Sequence, residues 1–398
     1  MQKAILIESI ETISCDAGWR NYYFIKLRTD SGIVGWSEYD ESFGPLGVTQ
    51  NINNIAASLI GKPALSHELI YTTLYNSKRA MFAGVAAQAI GAIENALLDA
   101  KAKILDIPCY DLFGGKLRDK IRVYWSHCGP WRMPLRAKFY NSDEVKTLEN
   151  VRALGAEAKD KGYTALKTYP FRDDGNGGML MWSPGFGNPY QPDLNIDRNF
   201  LRNLRDYLEA FRDGAGSDMD ILLDLNFNAR TEGVLKIIQE LSNFDLFWLE
   251  VDHNNPKSLA YIRNKSPFPI ASCETLLSGQ QYQPYLQAQS MDIAIIDAVW
   301  NGVWQSLKIA AVANTYDINI APHNFYGHLA TMMNAHFAAA IPNFRILEID
   351  IDRLPWDEEL FPNVPVIEDS HLILPNIPGW GCDPDEGVLR SRPANYRD

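Results

Sequence analysis

Residues 291–299 read MDIAIIDAV, a short apolar run that ends on an acid and passes directly into a helical pattern. The same unit recurs on both sides. Upstream stand IRVYWSH (121–127), ALKTY (165–169), DILLDLN (220–226), LFWLEVD (246–252) and IASCE (270–274), and downstream INIAPHN (318–324) and RILEIDI (345–351). Eight strand-like runs alternating with helical segments, over roughly 255 residues, match a (β/α)8-type barrel. A doubly wound open sheet is the alternative, but no GxGxxG or GxxxxGK[ST] follows any of these strands.

The segment ahead of the barrel has a different rhythm. KAILIESIETI and NYYFIKLRTD alternate apolar and polar residues, and helical patterns follow from about Asn51. The helix over 85–105 places Ala89, Ile93, Ala96 and Ala100 on one face. Pro108 and the GG at 114–115 close this part of the chain. We therefore expect an α+β domain over 1–118, the barrel over 119–375 and a C-terminal segment over 376–398. Two loops, 128–142 and 170–195, are long and rich in Gly, Pro and aromatics; Met179, Met181, Trp182 and Phe186 predict that the second packs on something.

Bulk composition excludes several classes. The chain has 398 residues, a formal net charge of −12 and no basic block, which argues against nucleic acid or an anionic membrane as partner. Its five cysteines are scattered and never spaced as CxxC, as expected of reduced cytosolic thiols. The N-terminus alternates like a strand rather than a signal peptide, and no apolar run approaches membrane length. The expectation is a cytoplasmic protein.

The strand ends carry the chemistry. They read Lys167 and Tyr169, Asp224, Glu250, Glu274, Asp297, His323 and Glu348, and from Asp224 onward the gaps are 26, 24, 23, 26 and 25 residues. Each gap is one βα unit, so these side chains share a height at the C-terminal mouth of the barrel. Asp224, Glu250 and Glu274, from three consecutive strands, converge and need a cation; all-oxygen ligands favour Mg²⁺, with Mn²⁺ as the alternative. Any one of them could instead cap a helix. Asp297 beside His323 is a carboxylate orienting an imidazole, an acid/base pair. His127, His328 and His336 are weaker candidates, and Glu348 either meets a substrate oxygen or caps. A metal-held substrate carboxylate with a base on each side suits removal of the adjacent α-proton.

AIENALLDAKAKILDIPCYDLFGG, LDLN, WLEVD, CET, IIDAVWNG, PHNFYGHLA and PGWGCDPDEGVL together resemble the enolase superfamily, more closely its mandelate racemase and muconate lactonizing enzyme branch. The resemblance implies a modified TIM barrel of the (β/α)7β type with an N-terminal α+β capping domain. It also implies Mg²⁺ at Asp224, Glu250 and Glu274, the Asp297–His323 dyad, Asn226 near the substrate, and a homo-oligomer. The capping-domain loop around Trp19 and Arg20 is the expected specificity element, with Trp131, Arg132, Arg172 and Trp182 as further substrate contacts.

Three departures from the family pattern stand out. EEP becomes Glu250-Val251-Asp252, which keeps the ligand but loses its neighbouring carboxylate. The second Gly of GG becomes Val303, after Gly302. The usual Lys-x-Lys becomes Lys167-x-Tyr169, and a phenol is a poor second base near neutral pH. We expect Lys167 and the metal to favour its phenolate. These features predict a Mg²⁺-dependent dehydratase of an aldonic or aldaric acid, giving a 2-keto-3-deoxy acid. The alternatives are an epimerase, racemase or cycloisomerase using the same α-proton chemistry, and a non-catalytic paralogue.

Overall fold

The computed structural model describes residues 4–42, 44–186 and 194–396. Strands β1 (Ile7–Ala17), β2 (Arg20–Thr29) and β3 (Val34–Tyr39) form an antiparallel meander that packs with helices α1 (Val48–Ala56), α2 (His67–Tyr75) and α3 (Gly84–Ile104). Helix α3 is Ala-rich because it is pressed from two sides. The face holding Ala89, Ile93, Ala96 and Ala100 is fully buried, and a Cβ on Gly35 of β3 would stand 2.3 Å from the Ala96 carbonyl oxygen. On its other side, a Cβ on Gly91 would meet the Trp300 carbonyl oxygen at 2.7 Å.

After α4 (Cys109–Leu112) come β4 (Lys120–Ser126), α5 (Leu148–Asp160) and β5 (Ala165–Thr168). A hairpin, β6 (Phe171–Asp173) with β7 (Met179–Met181), leads to α6 (Arg198–Ala215), β8 (Asp220–Asp224), α7 (Thr231–Glu240) and β9 (Leu246–Glu250). Then follow α8 (Pro256–Arg263), β10 (Ile270–Ser272), α9 (Ser278–Gln287), β11 (Ile293–Ile296), α10 (Ala298–Asn301) with α11 (Val303–Thr315), β12 (Asn319–Pro322), α12 (His328–Ala340) and β13 (Leu347–Asp350). The parallel order is β12-β11-β10-β9-β8-β5-β4, with β13 on the free side of β4. The ring closes through a parallel bridge between Ile320 and Phe344, just ahead of β13. Seven helical layers between eight strands give the (β/α)7β barrel expected from the sequence.

Pleating explains the site's height. Tyr124, Ala165, Leu222, Trp248, Ile295, Ala321 and Ile346 belong to one apolar cluster that fills the barrel. Two residues further along each strand, on the same face, stand Ser126, Lys167, Asp224, Glu250, Asp297, His323 and Glu348. The apolar plug thus forms the floor of a polar layer.

The tail returns to the meander. Strands β14 (Ile367–Glu368) and β15 (His371–Ile373) pair beside β4, and α13 (Asp357–Leu360) and α14 (Glu386–Ser391) follow β13 and β15. The Asp16 N–H donates to the Arg392 carbonyl at 3.0 Å. Buried Asp99 of α3 accepts from the Trp36 and Trp380 N–H groups at 2.7 and 2.8 Å, joining sheet, helix and tail. Within the long loop expected over 170–195, the β6–β7 hairpin buries Met179 and Trp182; positions 187–193 lie outside the described residues. No helix among those residues is long and apolar enough to cross a membrane.

Candidate active site

The polar layer opens into a cavity of about 270 Å³. Its lining includes His127, Arg136, Tyr169, Asn226, Glu274 and His323, with Trp131, Met181, Phe227, Trp300 and Phe325 as apolar walls.

Lys167 lies at the bottom. Its Nζ is 3.0 Å from Glu348, 3.2 Å from Glu250 and 3.3 Å from Asp224, and only 1% of the side chain is exposed. Burial alone would strip the proton from this amine, but Glu250 and Glu348 hold its pKa well above the ordinary value. These contacts favour the charged form of Lys167. Glu348 is held as an anion from several sides: although burial opposes ionisation, Lys167, His323 and His127 and a 2.5 Å hydrogen bond from Ser126 Oγ keep its pKa far below the usual carboxylate range. It also accepts from the Asn324 N–H at 2.9 Å.

The other carboxylates are under stress. Burial, followed by repulsion from Asp224, raises Glu250 well above its ordinary pKa, and Glu274 is raised chiefly by burial. Position 251 is Val, as the sequence has it, and the next residue, Asp252, turns its carboxylate to Glu274. Asp252 is 8% exposed, its pKa raised well above normal by burial and then by Glu274.

A divalent cation fits this chemistry. Asp224 Oδ2 and Glu250 Oε1 are buried without a hydrogen-bond partner, and three acids, Asp224, Glu250 and Glu348, share the one charge of Lys167. Among the described residues no group of three or more His, Cys, Asp or Glu side chains stands in an arrangement that could hold a metal ion as it is. Asp224 Oδ1 accepts from the Asn226 N–H at 2.7 Å and its amide at 3.1 Å, which orients the carboxylate and puts Asn226 on the cavity wall.

One side of the cavity is the His323 wall. His323 Nδ1 donates to Asp297 Oδ2 at 2.7 Å, leaving Nε2 toward the cavity, 3.6 Å from Glu274. Asp297 also accepts from the Tyr326 hydroxyl at 2.5 Å and from the Trp300 N–H at 2.8 Å, so it both orients the imidazole and caps α10. Burial lowers the imidazole's proton affinity, but Glu274 and then Asp297 outweigh it and carry the pKa to about 10. The capping meander secures this wall from behind: Glu38 of β3 accepts from the N–H groups of Gly327 and Ala330 at 2.7 and 3.0 Å, at the start of α12. Gly302, after β11, has φ +83°, and a Cβ there would meet Glu94 at 2.3 Å. The next position needs no glycine, since the Val303 N–H donates to Asn95 Oδ1 at 2.7 Å.

Tyr169 forms the other side. Burial pushes its pKa well above the ordinary phenol value; Lys167 pulls the opposite way and does not prevail. Removing a phenol from water costs more than one ammonium returns when that ammonium is already shared by three carboxylates, so the protein's own groups do not by themselves favour the expected phenolate. The phenol oxygen lies 3.1 Å from His127 Nε2, and His127 Nδ1 lies 2.9 Å from Asp350 Oδ1.

Trp19 and Arg20 do not line the cavity. Trp19 packs on Trp131 with centroids 5.0 Å apart and donates to the Tyr140 hydroxyl. Arg20 donates to the Phe325 carbonyl and sits 3.9 Å from Asp350, bracing the capping domain against the barrel loops. Of the further contacts expected, Trp131 faces the cavity, whereas Arg132 is paired with Glu157 and Asp352. Arg172 and Trp182 line a different depression, beside α6. Sequence reasoning missed Arg136, whose guanidinium lies 3.9 Å over Trp19 and 4.5 Å over Trp131. The position of His127 directly after a strand of the barrel was the available signal for its placement.

Comparison with known proteins agrees with this architecture. Residues 150–388 match the family described as enolase C-terminal domain-like, and residues 10–114 the mandelate racemase / muconate lactonizing enzyme N-terminal domain. A solved structure from Burkholderia xenovorans strain LB400, described as a candidate L-alanine-DL-glutamate epimerase, is 54% identical with TM-score 0.95, covering 98% of each chain. The same protein is also known bound to magnesium and fumarate, covering 98% of this chain and 96% of that one. D-xylonate dehydratase of Haloferax volcanii is 28% identical over 95% of this chain and 87% of its own length. D-gluconate dehydratase of Thermoproteus tenax is 27% identical over 94% and 70%. The chain belongs to the mandelate racemase/muconate lactonizing enzyme family of the enolase superfamily.

Proposed function

We propose that this chain is a Mg²⁺-dependent lyase that dehydrates an acid sugar, an aldonate or aldarate, to a 2-keto-3-deoxy acid. The observation that carries the reading is the asymmetry of the cavity: an oriented imidazole on one side faces a buried phenol on the other, above a buried carboxylate cluster. Asp224, Glu250 and Glu274 would hold the ion, which supplies positive charge to the substrate carboxylate as negative charge develops there. His323 Nε2 takes the α-proton once the ion offsets Glu274, whose charge otherwise keeps the imidazole protonated, and Asp297 stabilises the imidazolium that results. Tyr169, a donor rather than a base, gives its proton to the departing β-hydroxyl. Lys167 stays charged beneath the substrate, and the aromatic walls keep water from the reacting carbons. Relatives at 27–28% identity named for D-xylonate and D-gluconate dehydration support the reaction class.

A panel of aldonates and aldarates incubated with the chain and Mg²⁺ tests this; a semicarbazide-reactive ketoacid from at least one is expected, and none from any acid would sink the reading. A second reading, an epimerase, draws on the Burkholderia structure at 54% identity and its name. Solvent deuterium entering Cα while the β-hydroxyl stays would favour it.

A further inference from the structure

Tyr169 is only 4% exposed, so bulk water is poorly placed to restore a proton it gives away. The structure puts an imidazole there instead. We propose that His127, held by Asp350, is the proton relay of Tyr169, so that the cavity carries a carboxylate–imidazole unit on each side of the substrate. This rests on the reading above, in which Tyr169 acts as the acid.

The surroundings of the ring define its role. His127 Nδ1 lies 2.9 Å from Asp350 Oδ1 and 3.0 Å from Ser126 Oγ, while Nε2 lies 3.1 Å from the phenol oxygen. Ser126 donates its own proton to Glu348, so Nδ1 is the donor toward Ser126 and Asp350, and Nε2 is left to exchange with Tyr169. The Trp131 indole stacks on the ring at 3.9 Å and 2°, Tyr169 lies at 4.9 Å and 17°, and Phe325 at 6.2 Å. Arg20, 3.9 Å from the far oxygen of Asp350, adds positive charge behind the carboxylate, and Lys167 lies 5.8 Å from the Tyr169 ring. The His127 backbone adopts φ 51°, a conformation that a non-glycine residue takes at a cost.

The proton balance closes. With both nitrogens protonated, Nε2–H donates to the phenol oxygen and the phenol O–H points to the β-hydroxyl. The α C–H electrons form the new C=C bond, the C–O bond breaks onto oxygen, and that oxygen leaves as water with the phenol proton. The phenol oxygen takes the Nε2 proton, and the imidazole stays held at Nδ1. His323 has gained the proton that the relay lost, and no oxidant or reductant enters.

Two measurements on the full chain test the relay. In ¹⁵N-histidine NMR, Tyr169→Phe is expected to shift the His127 Nε2 resonance and Asp350→Asn the Nδ1 resonance; no movement in either overturns the proposal. In turnover, His127→Asn and Asp350→Asn are expected to lower kcat ten- to a hundredfold with KM within about threefold, and Asp350→Glu to recover part of the loss. The Tyr169→Phe/His127→Asn double variant should be no slower than Tyr169→Phe alone within about threefold, whereas multiplied losses contradict the relay. If the wild-type chain exchanges the α-proton but makes no ketoacid, the dehydratase reading falls and the same cycle read on exchange decides the relay. If it turns over no acid at all, the nitrogen shifts alone decide it.

Discussion

The two walls of the cavity make the same kind of unit by different means. On the His323 wall, carboxylate and imidazole come from the ends of neighbouring strands, β11 and β12, and Asp297 bonds directly to the ring. On the Tyr169 wall, the phenol stands just past β5, the imidazole just past β4, and the carboxylate at the end of β13. The first wall presents an imidazole nitrogen to the substrate and the second a phenol oxygen. Asp297 orients the imidazole and leaves its Nε2 toward the cavity, while burial of Tyr169 favours the protonated form of its phenol. The proposed chemistry takes a proton on one side and gives one on the other.

Replacing the reactive group on each wall should separate them. His323→Asn is expected to abolish both α-proton exchange and product formation, by about a hundred- to ten-thousandfold. Tyr169→Phe is expected to cut dehydration by about a hundredfold while α-proton exchange persists within about tenfold. Equal loss of both activities in Tyr169→Phe would erase the distinction between the walls. Both reactions can be followed in one tube by proton NMR.

The floor shared by the walls predicts a stability effect. Lys167→Met leaves Glu348, Glu250 and Asp224 buried without their cation, at a cost of about 3–5 kcal/mol in denaturant unfolding. Part of that loss should be recovered by Mg²⁺, since an ion that binds only the folded state stabilises it. A variant as stable as wild type without Mg²⁺ would mean that the cluster is not strained.

A pH effect concerns the helix behind the His323 wall. His336 of α12 accepts from the Tyr110 N–H at 3.1 Å and is fully buried, and burial lowers its pKa from 6.5 to about 3. The folded chain keeps this ring neutral where an unfolded chain would protonate it. Its contribution is whole above pH 6.5 and shrinks as pH falls toward 3, by about 1.4 kcal/mol per unit. His336→Asn should flatten the slope of stability against pH in that window, and an unchanged slope would remove His336 as its source.

The walls also differed in how far they could be read from the chain alone. Asp297 and His323 fall on a repeat of about 25 residues, because each βα unit spends a similar length before returning to the mouth. His127 lies on the same repeat of strands, but its partners are Tyr169, one strand over, and Asp350, more than two hundred residues away. Nothing in the local pattern pairs them. The eight strands were legible because each is a bounded apolar run, and α3 because its small residues keep one period. Arg136 was not legible, since the irregular loop over 128–142 has no period to count along. The surroundings of Tyr169 were legible only in part: Lys167, two residues away, could be read from the chain, but burial, which pulls the phenol the other way, is displayed by no sequence pattern.

The most direct measurement is incubation of the wild-type chain with Mg²⁺ and the acid-sugar panel in D₂O, followed by proton NMR at the carbons next to the carboxylate. The account predicts that at least one acid loses its β-hydroxyl and appears as a 2-keto-3-deoxy acid carrying deuterium at C3. Exchange or inversion at Cα with the hydroxyl retained, across the whole panel, would contradict it.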